Sequence, residues 1–401
     1  MVDTIEKALN PLFLANFIFG CGILRYPLDK PRYCLSIFYI LTVWSVYACA
    51  VYYVTIQYSL TISNSSPGSL IEIMNLFIIM ISIIIIVREH EKFRTCIRKL
   101  DLVNDTLEEL GMPKEYHKLR NLMKCALITW FLMACASWTF DSLMCIDILN
   151  ETRAMMIPIV MDYSLHINNI IDIMFMLLLR HIGSILDKIN DYIVQLSETE
   201  NCGLRYKWKK SLVVNSHIVR SAESRKRILF TVMHLHLELC RIAHDINGFF
   251  GMQMTLQIIS YFVVLSGLFY FLYYIILHLK EVYEDDITLK ILLSINMWVI
   301  IFLMKLISLN HICESVSVKA RKTKNVVNRL TNLVGFAEVR EEISQFVLQI
   351  LLRPLKFSGL GLFYFGYDFI RKFFVWIVTV VLFMVQIHDI YIFPISQILD
   401  K

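Results

Sequence analysis

The chain has 401 residues, of which 57% are hydrophobic and 18% charged, and its mean hydropathy is +0.59. Soluble domains average about 45–50% apolar and about 25% charged residues, so this composition excludes an ordinary soluble protein and indicates an integral membrane protein. The 10 cysteines form no CxxC pair and no Cys/His cluster at zinc spacing, so we expect neither a metal site nor a disulfide framework.

The first apolar stretch, residues 11–24, is too short to cross a bilayer and is interrupted by Gly20 and Gly22. Asp3 and Glu6 precede it, whereas a signal peptide begins with basic residues. We therefore expect a buried or interfacial amphipathic segment, with a membrane span as the weaker alternative.

Seven further apolar runs follow, most of them near the length of about 20 residues that a membrane-crossing helix needs. They are residues 34–56, 69–87, 123–146, 155–179, 249–277, 291–309 and 373–387, the last of them short unless it extends further. The sequence therefore predicts an all-α, polytopic membrane protein with seven transmembrane helices.

Basic residues alternate strongly between the loops, and loops rich in Lys and Arg stay in the cytoplasm. Counting the loop 305–372 as cytoplasmic places 35 basic residues on one side and 4 on the other. The N-terminus is therefore predicted to be cytoplasmic and the C-terminus extracellular. Glycosylation motifs at Asn64 and Asn150 fall in outside loops, whereas a third, at Asn104, lies inside and should stay unmodified.

The long inside loops carry apolar residues at helical spacing between charges, for example in residues 93–103 and 182–196. This pattern predicts that the spans continue into the cytoplasm as packed amphipathic helices, joined by a flexible link at 198–210. Their dispersed basic charge suits contact with anionic lipid, and we expect no nucleic-acid partner.

The predicted division of the chain has five parts. They are a cytoplasmic N-terminal segment at 1–33, spans one to six with their helical loops at 34–309, a cytoplasmic anchor and pre-pore region at 310–372, the seventh span at 373–393, and a short extracellular tail at 394–401.

Polar and aromatic residues recur within several spans, and in span four Asp162 and His166 lie in its outer half. Asp162, His166, Asn169 and Asp172 follow one helical stripe of span four, and ionisable groups in spans are costly and often functional. Further candidates are Trp138, Asp141, Tyr163, Tyr270, Tyr273, Tyr274, Asn296 and Trp298. Together they predict an outward-facing pocket for a small organic ligand, although interfacial aromatic belts and ordinary helix–helix hydrogen bonds remain the alternative.

The last span carries Thr379 and Gln386 two helical turns apart, about 10 Å along one face, with Phe383 between them. Several copies around an axis would form a narrow, mainly apolar tube with a ring of amides near its mouth. Alternatively, Gln386 bonds another helix of the same subunit. These residues alone leave both interpretations open.

Residues 379–387, TVVLFMVQI, resemble the TYhhhhhQF motif (h, apolar) in the last span of insect gustatory receptors. Thr379 and Gln386 match at the required spacing, while Val380 and Ile387 replace the tyrosine and the final phenylalanine. The preceding FSGLGLF, residues 357–363, is similar to an F-x-x-x-G-x-F run of the same family.

The resemblance implies a tastant-gated, non-selective cation channel in a plasma membrane, without a cofactor. It implies a homotetramer, or a heterotetramer with other gustatory receptor subunits. By position, Gln386 and Ile387 form the gate, with Thr379 and Phe383 as pore neighbours, and Ile387 makes this gate aliphatic.

Four rival interpretations are weaker. Insect odorant receptors share the fold with the gustatory family. A secondary transporter is suggested by Asp162 and Asp172 but predicts an internal repeat and matching broken helices, which the sequence does not show. Loop charges oppose a G-protein-coupled receptor. An enzyme lacks support because no nucleophile elbow, HExxH motif or phosphate-binding glycine loop is present.

Overall fold

The chain folds into long helices, because a bilayer offers no hydrogen-bond partner to backbone groups that a helix leaves unpaired. The computed structural model describes residues 4–23, 32–58, 67–207, 215–277, 286–330 and 338–399. Its α-helices are α1 (Ile5–Ile18), α2 (Tyr33–Gln57), α3 (Pro67–Arg88), α4 (His90–Glu109), α5 (Tyr116–Leu149), α6 (Met156–Met161), α7 (Tyr163–Lys207), α8 (Asn215–Leu277), α9 (Asp286–Leu330), α10 (Arg340–Leu352) and α11 (Tyr367–Leu399). A 3-10 turn (Thr152–Met155) precedes α6, and a small antiparallel hairpin of β1 (Ser358–Gly359) and β2 (Phe363–Tyr364) precedes α11.

Among these residues, seven helical segments are long and apolar enough to cross a membrane, which confirms the predicted number of spans. They are α2, α3, α5, the combined segment from the 3-10 turn through α7, α8, α9 and α11. The side of the membrane on which each terminus lies stays a prediction.

The N-terminal apolar stretch is a buried helix rather than a span. In α1, Ile5, Ala8, Leu9 and Leu12 are fully buried. The first N–H of the helix, at Ile5, donates to Asp101 Oδ1 at 2.8 Å. Tyr116 donates its hydroxyl to the same oxygen at 3.0 Å. Burial raises the pKa of the Asp101 carboxyl, and these two hydrogen bonds partly offset the rise.

Several helices continue far beyond the thickness of a membrane, which confirms the predicted helical extensions. Helix α8 has 63 residues, and α7 and α9 have 45 each. The predicted flexible link at 198–210 was wrong for its first part, since α7 runs to Lys207. Helix α9 also crosses position 310, a predicted domain boundary, without a break.

The main hydrophobic core lies along α7, α8 and α9. Helices α1, α4 and α10 also contribute buried side chains to it. Phe175 of α7 and Phe250 of α8 are fully buried there, with ring centroids 5.3 Å apart. The spans therefore pack mainly around α7, which holds the polar stripe of span four.

Candidate functional site

The carboxylate of Asp141 on α5 bonds a serine and a tryptophan of α9 near one end of the helix bundle. Ser294 donates its hydroxyl to Asp141 Oδ1 at 2.9 Å, and Trp298 donates Nε1–H to Asp141 Oδ2 at 3.0 Å. Asp141 is buried, so these two hydrogen bonds replace water around its carboxylate. Two predicted site residues on different helices, Asp141 and Trp298, thus meet directly.

The imidazole of His166 lies between two predicted tryptophans. Its ring centroid is 4.8 Å from that of Trp138 and 6.1 Å from that of Trp298. The Ser137 hydroxyl is 3.3 Å from His166 Nε2, and Trp130 donates Nε1–H to the His166 carbonyl at 3.1 Å. In the described part of the chain, the buried Nε1–H of Trp138 has no acceptor. This group offers aromatic faces and one available donor, which suits a small organic ligand.

A second polar cluster lies deeper along the same stripe of α7. Tyr261 of α8 donates its hydroxyl to Asp172 Oδ2 at 2.8 Å, and Gln257 Oε1 lies 3.2 Å from the same hydroxyl oxygen. Lys305 of α9 donates to Asn169 Oδ1 and attracts the Asp172 carboxylate electrostatically. Asn169 and Asp172, predicted on one face, therefore share a buried network with three other helical residues.

Lys305 is a functional candidate that the sequence analysis missed. The loop count placed it at the start of a cytoplasmic loop, but it lies inside α9, with Nζ 5.2 Å from the Phe302 ring centroid and 5.7 Å from that of Tyr261. Without Lys305, the predicted charge asymmetry between the loops is still large. The sequence feature that could have identified Lys305 is its position within the apolar run 291–309, four residues before the end of that run.

The polar stripe of span four is not carried by one continuous helix. Helix α6 ends at Met161, Asp162 forms its cap by donating N–H to the Pro158 carbonyl at 2.9 Å, and α7 begins at Tyr163. Asp162 therefore lies just before α7, whereas His166 lies within it. The His166 N–H still donates to the Asp162 carbonyl at 3.0 Å.

Other predicted pocket residues lie apart from the His166 cluster. The Tyr163 ring packs 5.1 Å from Tyr47 and 6.3 Å from Trp44, both on α2. Asn296 is exposed and donates to the Leu292 carbonyl of its own helix at 2.7 Å. On α8, Tyr270 is half-buried, whereas Tyr273 and Tyr274 are exposed. The structure thus brings together Trp138, Asp141, His166 and Trp298, whereas Tyr163 packs against α2 and Asn296 bonds within its own helix.

The predicted pore residues share an exposed face of α11. Phe373 and Ile377 are buried on the opposite face, whereas Thr379, Phe383, Gln386 and Ile387 are exposed. Thr379 donates its hydroxyl to the Val375 carbonyl of the same helix at 2.9 Å. No neighbour within the described subunit buries this face.

The base of α11 is fixed by two asparagines from other spans. Asn247 of α8 donates to the Ser358 carbonyl at 3.2 Å and accepts from the Ser358 N–H at 3.3 Å. Asn310 of α9 accepts from the Gly366 N–H at 2.9 Å. The hairpin between these points needs Gly359, because a Cβ there would lie 2.6 Å from the Phe363 ring.

The structure describes two of the three asparagines that lie in glycosylation motifs. Asn64 lies outside the described residues. Asn150 is exposed and closes α5 in a left-handed conformation with φ 52°. Asn104 is buried in α4 and donates to the Leu100 carbonyl at 3.2 Å. Whether either motif is modified stays a prediction.

The ionisable side chains of the described residues build no candidate metal site. In the described ranges, no group of three or more His, Cys, Asp and Glu residues is arranged to hold a metal ion.

Seven apolar spans around buried polar clusters define a multi-pass membrane protein. A sequence model described as "7tm Chemosensory receptor" matches residues 10–391, and the chain therefore belongs to this insect chemosensory receptor family. The chain is 26% identical over 132 residues to putative gustatory receptor 28b of Drosophila melanogaster. That alignment covers 33% of this chain and 28% of the relative, well under two thirds of the relative's length.

Solved structures of one olfactory receptor share the fold. The insect olfactory receptor OR5 from Machilis hrabei superposes with a TM-score of 0.64 at 12% identity, over 95% of this chain and 98% of that one. The same receptor in complex with eugenol gives a TM-score of 0.59 at 14% identity, over 96% and 98% of the two chains.

Proposed function

We propose that the protein is a gustatory receptor of an insect plasma membrane that works as a tastant-gated, non-selective cation channel. Four subunits, identical or mixed with other gustatory receptor subunits, surround the pore, and α11 of each subunit lines it. Cations pass between the helices, membrane lipid surrounds the assembly, and no catalytic step or cofactor takes part.

The observation that carries this proposal is the exposed face of α11 that holds Thr379 and Gln386. Of the seven candidate spans in the described residues, α11 has the smallest buried share, 11% of its most apolar stretch. Lipid covers apolar side chains at no cost, but it gives no hydrogen bond to the amide of Gln386. A water-filled axis between subunits satisfies that amide, and Phe383 one turn below narrows the passage.

The ligand site of the proposal is the cluster around His166 in each subunit. Trp138 and Trp298 supply flat apolar faces, and the Trp138 Nε1–H supplies a donor without a partner in the described residues. The cluster ties α5, α7 and α9 together, so a bound molecule contacts three spans at once. A ligand that favours one arrangement of these spans shifts the protein towards it.

A second candidate function is an odorant receptor-type channel. The similarity to an olfactory receptor along nearly the whole chain favours it. We prefer the gustatory assignment because the curated relative is a putative gustatory receptor and the last span has the Thr/Gln spacing of that family. Responses to sugars, bitter compounds or amino acids, rather than to volatile compounds, distinguish the two.

The test is to express the chain alone and record whole-cell current during application of a tastant panel. We expect cation current without G-protein signalling. We expect Gln386→Ala and Phe383→Ala to change conductance or ion selectivity, while Val378→Ala, at an exposed position on the flank of the same helix, leaves both unchanged. Unaltered current in both pore variants would contradict the assignment of α11.

A second variant addresses the ligand site separately. Trp138→Phe keeps an aromatic ring but removes the donor, so the tastant concentration for half-maximal current should rise about tenfold, as expected for one lost hydrogen bond. Maximal current and conductance should stay the same. A change in conductance without a change in tastant sensitivity would place Trp138 outside the ligand site.

A further inference from the structure

The first turns of α11 carry three charged side chains, and all three are exposed: Asp368, Arg371 and Lys372. This end of the last span is predicted to be cytoplasmic, because the basic loop 305–372 precedes it. Charges at the mouth of a channel change the local concentration of ions. The position of each charge around the helix therefore decides whether it acts on the pore.

Lys372 lies on the same face of α11 as the predicted pore residues. It precedes Thr379 by seven residues and Gln386 by fourteen, and each step of seven residues completes two helical turns to within about 20°. Phe373 and Ile377 are buried on the face that packs within the subunit. Lys372 therefore extends the exposed face towards the cytoplasmic end, about 10 Å from Thr379 and about 21 Å from Gln386 along the helix.

The other two charges at this end compensate each other. Arg371 Nη2 lies 2.7 Å from Asp368 Oδ1, one helical turn away. Asp368 is also in the first turn of α11, where the positive end of the helix dipole interacts favourably with a carboxylate. Lys372 forms no ion pair with an acidic side chain of the described residues. It is therefore the uncompensated charge of this face.

We propose that Lys372 is a specificity-determining residue of the channel and that its charge opposes the entry of cations from the cytoplasm. This inference rests on the proposed function, in which α11 of four subunits surrounds the pore. Four lysines around one axis then form a ring of positive charge at the inner mouth, which repels cations. Cations that arrive from outside meet the amides of Gln386 first, whereas cations from the cytoplasm meet the lysines first. Cation current therefore flows more easily inward than outward.

The alternative role for a lysine at the end of a span is contact with the anionic headgroups of the lipid. In that role the charge of Lys372 would stabilise the position of α11 in the bilayer and would leave the current unaffected. The shared face with Thr379 and Gln386 favours the pore, because those two residues place a hydroxyl and an amide on the same stripe. The two roles differ in what the charge does to the current.

The test records tastant-evoked current at equal positive and negative voltages, with the same salt solution on both sides of the membrane. We expect the inward current of the unaltered chain to exceed the outward current by at least about twofold. Lys372→Gln should bring the two currents closer together, Lys372→Glu should reverse their ratio, and Lys372→Arg should preserve it. Lys92→Gln removes the same charge from an exposed lysine of α4 and should leave the ratio unchanged.

Chemical modification changes the charge without a second substitution. Lys372→Cys is treated from the cytoplasmic side of an excised membrane patch with thiol reagents of opposite charge. The positively charged reagent should restore the preference for inward current, and the negatively charged reagent should reverse it. The unaltered chain, treated in the same way, gives the background from its native cysteines. Identical effects of the two reagents, or an unchanged current ratio in Lys372→Gln and Lys372→Glu, overturn the inference.

The outcomes separate the role of Lys372 from the proposed function. If the unaltered chain carries no tastant-evoked current, the channel assignment itself fails. If current flows and changes in Gln386→Ala, but its direction dependence is the same with and without the charge at position 372, the channel assignment stands and only the role of Lys372 fails.

Discussion

The fourth span and the last span differ most in what surrounds them. In the fourth span, 67% of the most apolar stretch is buried within the subunit, compared with 11% in α11. The polar groups of the fourth span meet partners on α5, α8 and α9. The polar residues of α11 face outward from the subunit. The fourth span thus packs mainly against helices of its own subunit, whereas most of α11 must be covered by lipid, water or another subunit.

The largest effect is expected from substitutions of the charged residues that pair with the buried fourth span. Asp172→Asn or Lys305→Met alone leaves one charge uncompensated inside the protein, which costs about 3–5 kcal/mol. We expect either variant to lose most of its monodisperse peak in size-exclusion chromatography after mild heating. The double variant should recover much of that peak, because neither charge remains.

A surface ion pair provides the control for this prediction. Lys290 Nζ lies 2.7 Å from Asp147 Oδ2 at an exposed position, and such pairs contribute about 0–1 kcal/mol. Lys290→Met should therefore elute and melt like the unaltered chain. If Lys305→Met behaved the same way, the attraction between Lys305 and Asp172 would contribute little to stability.

The second effect tests the joint between the buried core and α11. Asn310→Ala removes the acceptor for the Gly366 N–H, and a buried donor left unpaired costs about 1–3 kcal/mol. Hydrogen exchange should become faster in the hairpin and in the first turn of α11. Asn296→Ala, an exposed asparagine on the same helix, is the matched control and should leave exchange there unchanged.

The third effect concerns the exposed face of α11 and alters accessibility rather than stability. Cysteine introduced at Thr379, Phe383 or Gln386 should react with a positively charged thiol reagent, since the reactive thiolate needs water. Ile377→Cys, on the buried face, should react about tenfold more slowly or not at all. The parent chain gives the background from its native cysteines. Equal reaction at all four positions would remove the distinction between the two faces.

The smallest expected effect tests on which side of the membrane α5 ends. Thr152→Ala abolishes the motif at Asn150 without altering the left-handed asparagine, so a glycan should be lost as a gel shift, with a stability change within about 0.5 kcal/mol. Thr106→Ala, in the motif of the buried Asn104, should change nothing. A shift with Thr106→Ala but none with Thr152→Ala would invert the predicted orientation.

The spans could be predicted from the sequence because apolar length is a local property. Lys305 could not be placed, because a lysine near the end of an apolar run usually marks the membrane boundary. Its role depends on Asn169 and Asp172, which reach it only after α7 packs on α9. Periodicity likewise treated span four as one helix, whereas α6 ends at Met161 and α7 begins at Tyr163.

The exposed face of α11 and the position of the hairpin before it also depend on contacts between distant parts of the chain. Strands of two residues carry no usable periodicity, and their position is set by the amides of Asn247 and Asn310 on distant helices. The sequence did identify Thr379 and Gln386 as sharing a face, because helical spacing is local. It left open whether that face meets another helix of the subunit, and the structure shows it exposed.

The unbroken length of α8 has a mechanical consequence. Its 63 residues extend about 95 Å, roughly three times the hydrocarbon thickness of about 30 Å. A helix without a hinge adjusts to a thicker or thinner bilayer by tilting as one rod, and a small change of tilt within lipid becomes a larger sideways displacement at its far tip. Any change of tilt within the bilayer would therefore reach the end of α8 that lies farthest from the lipid.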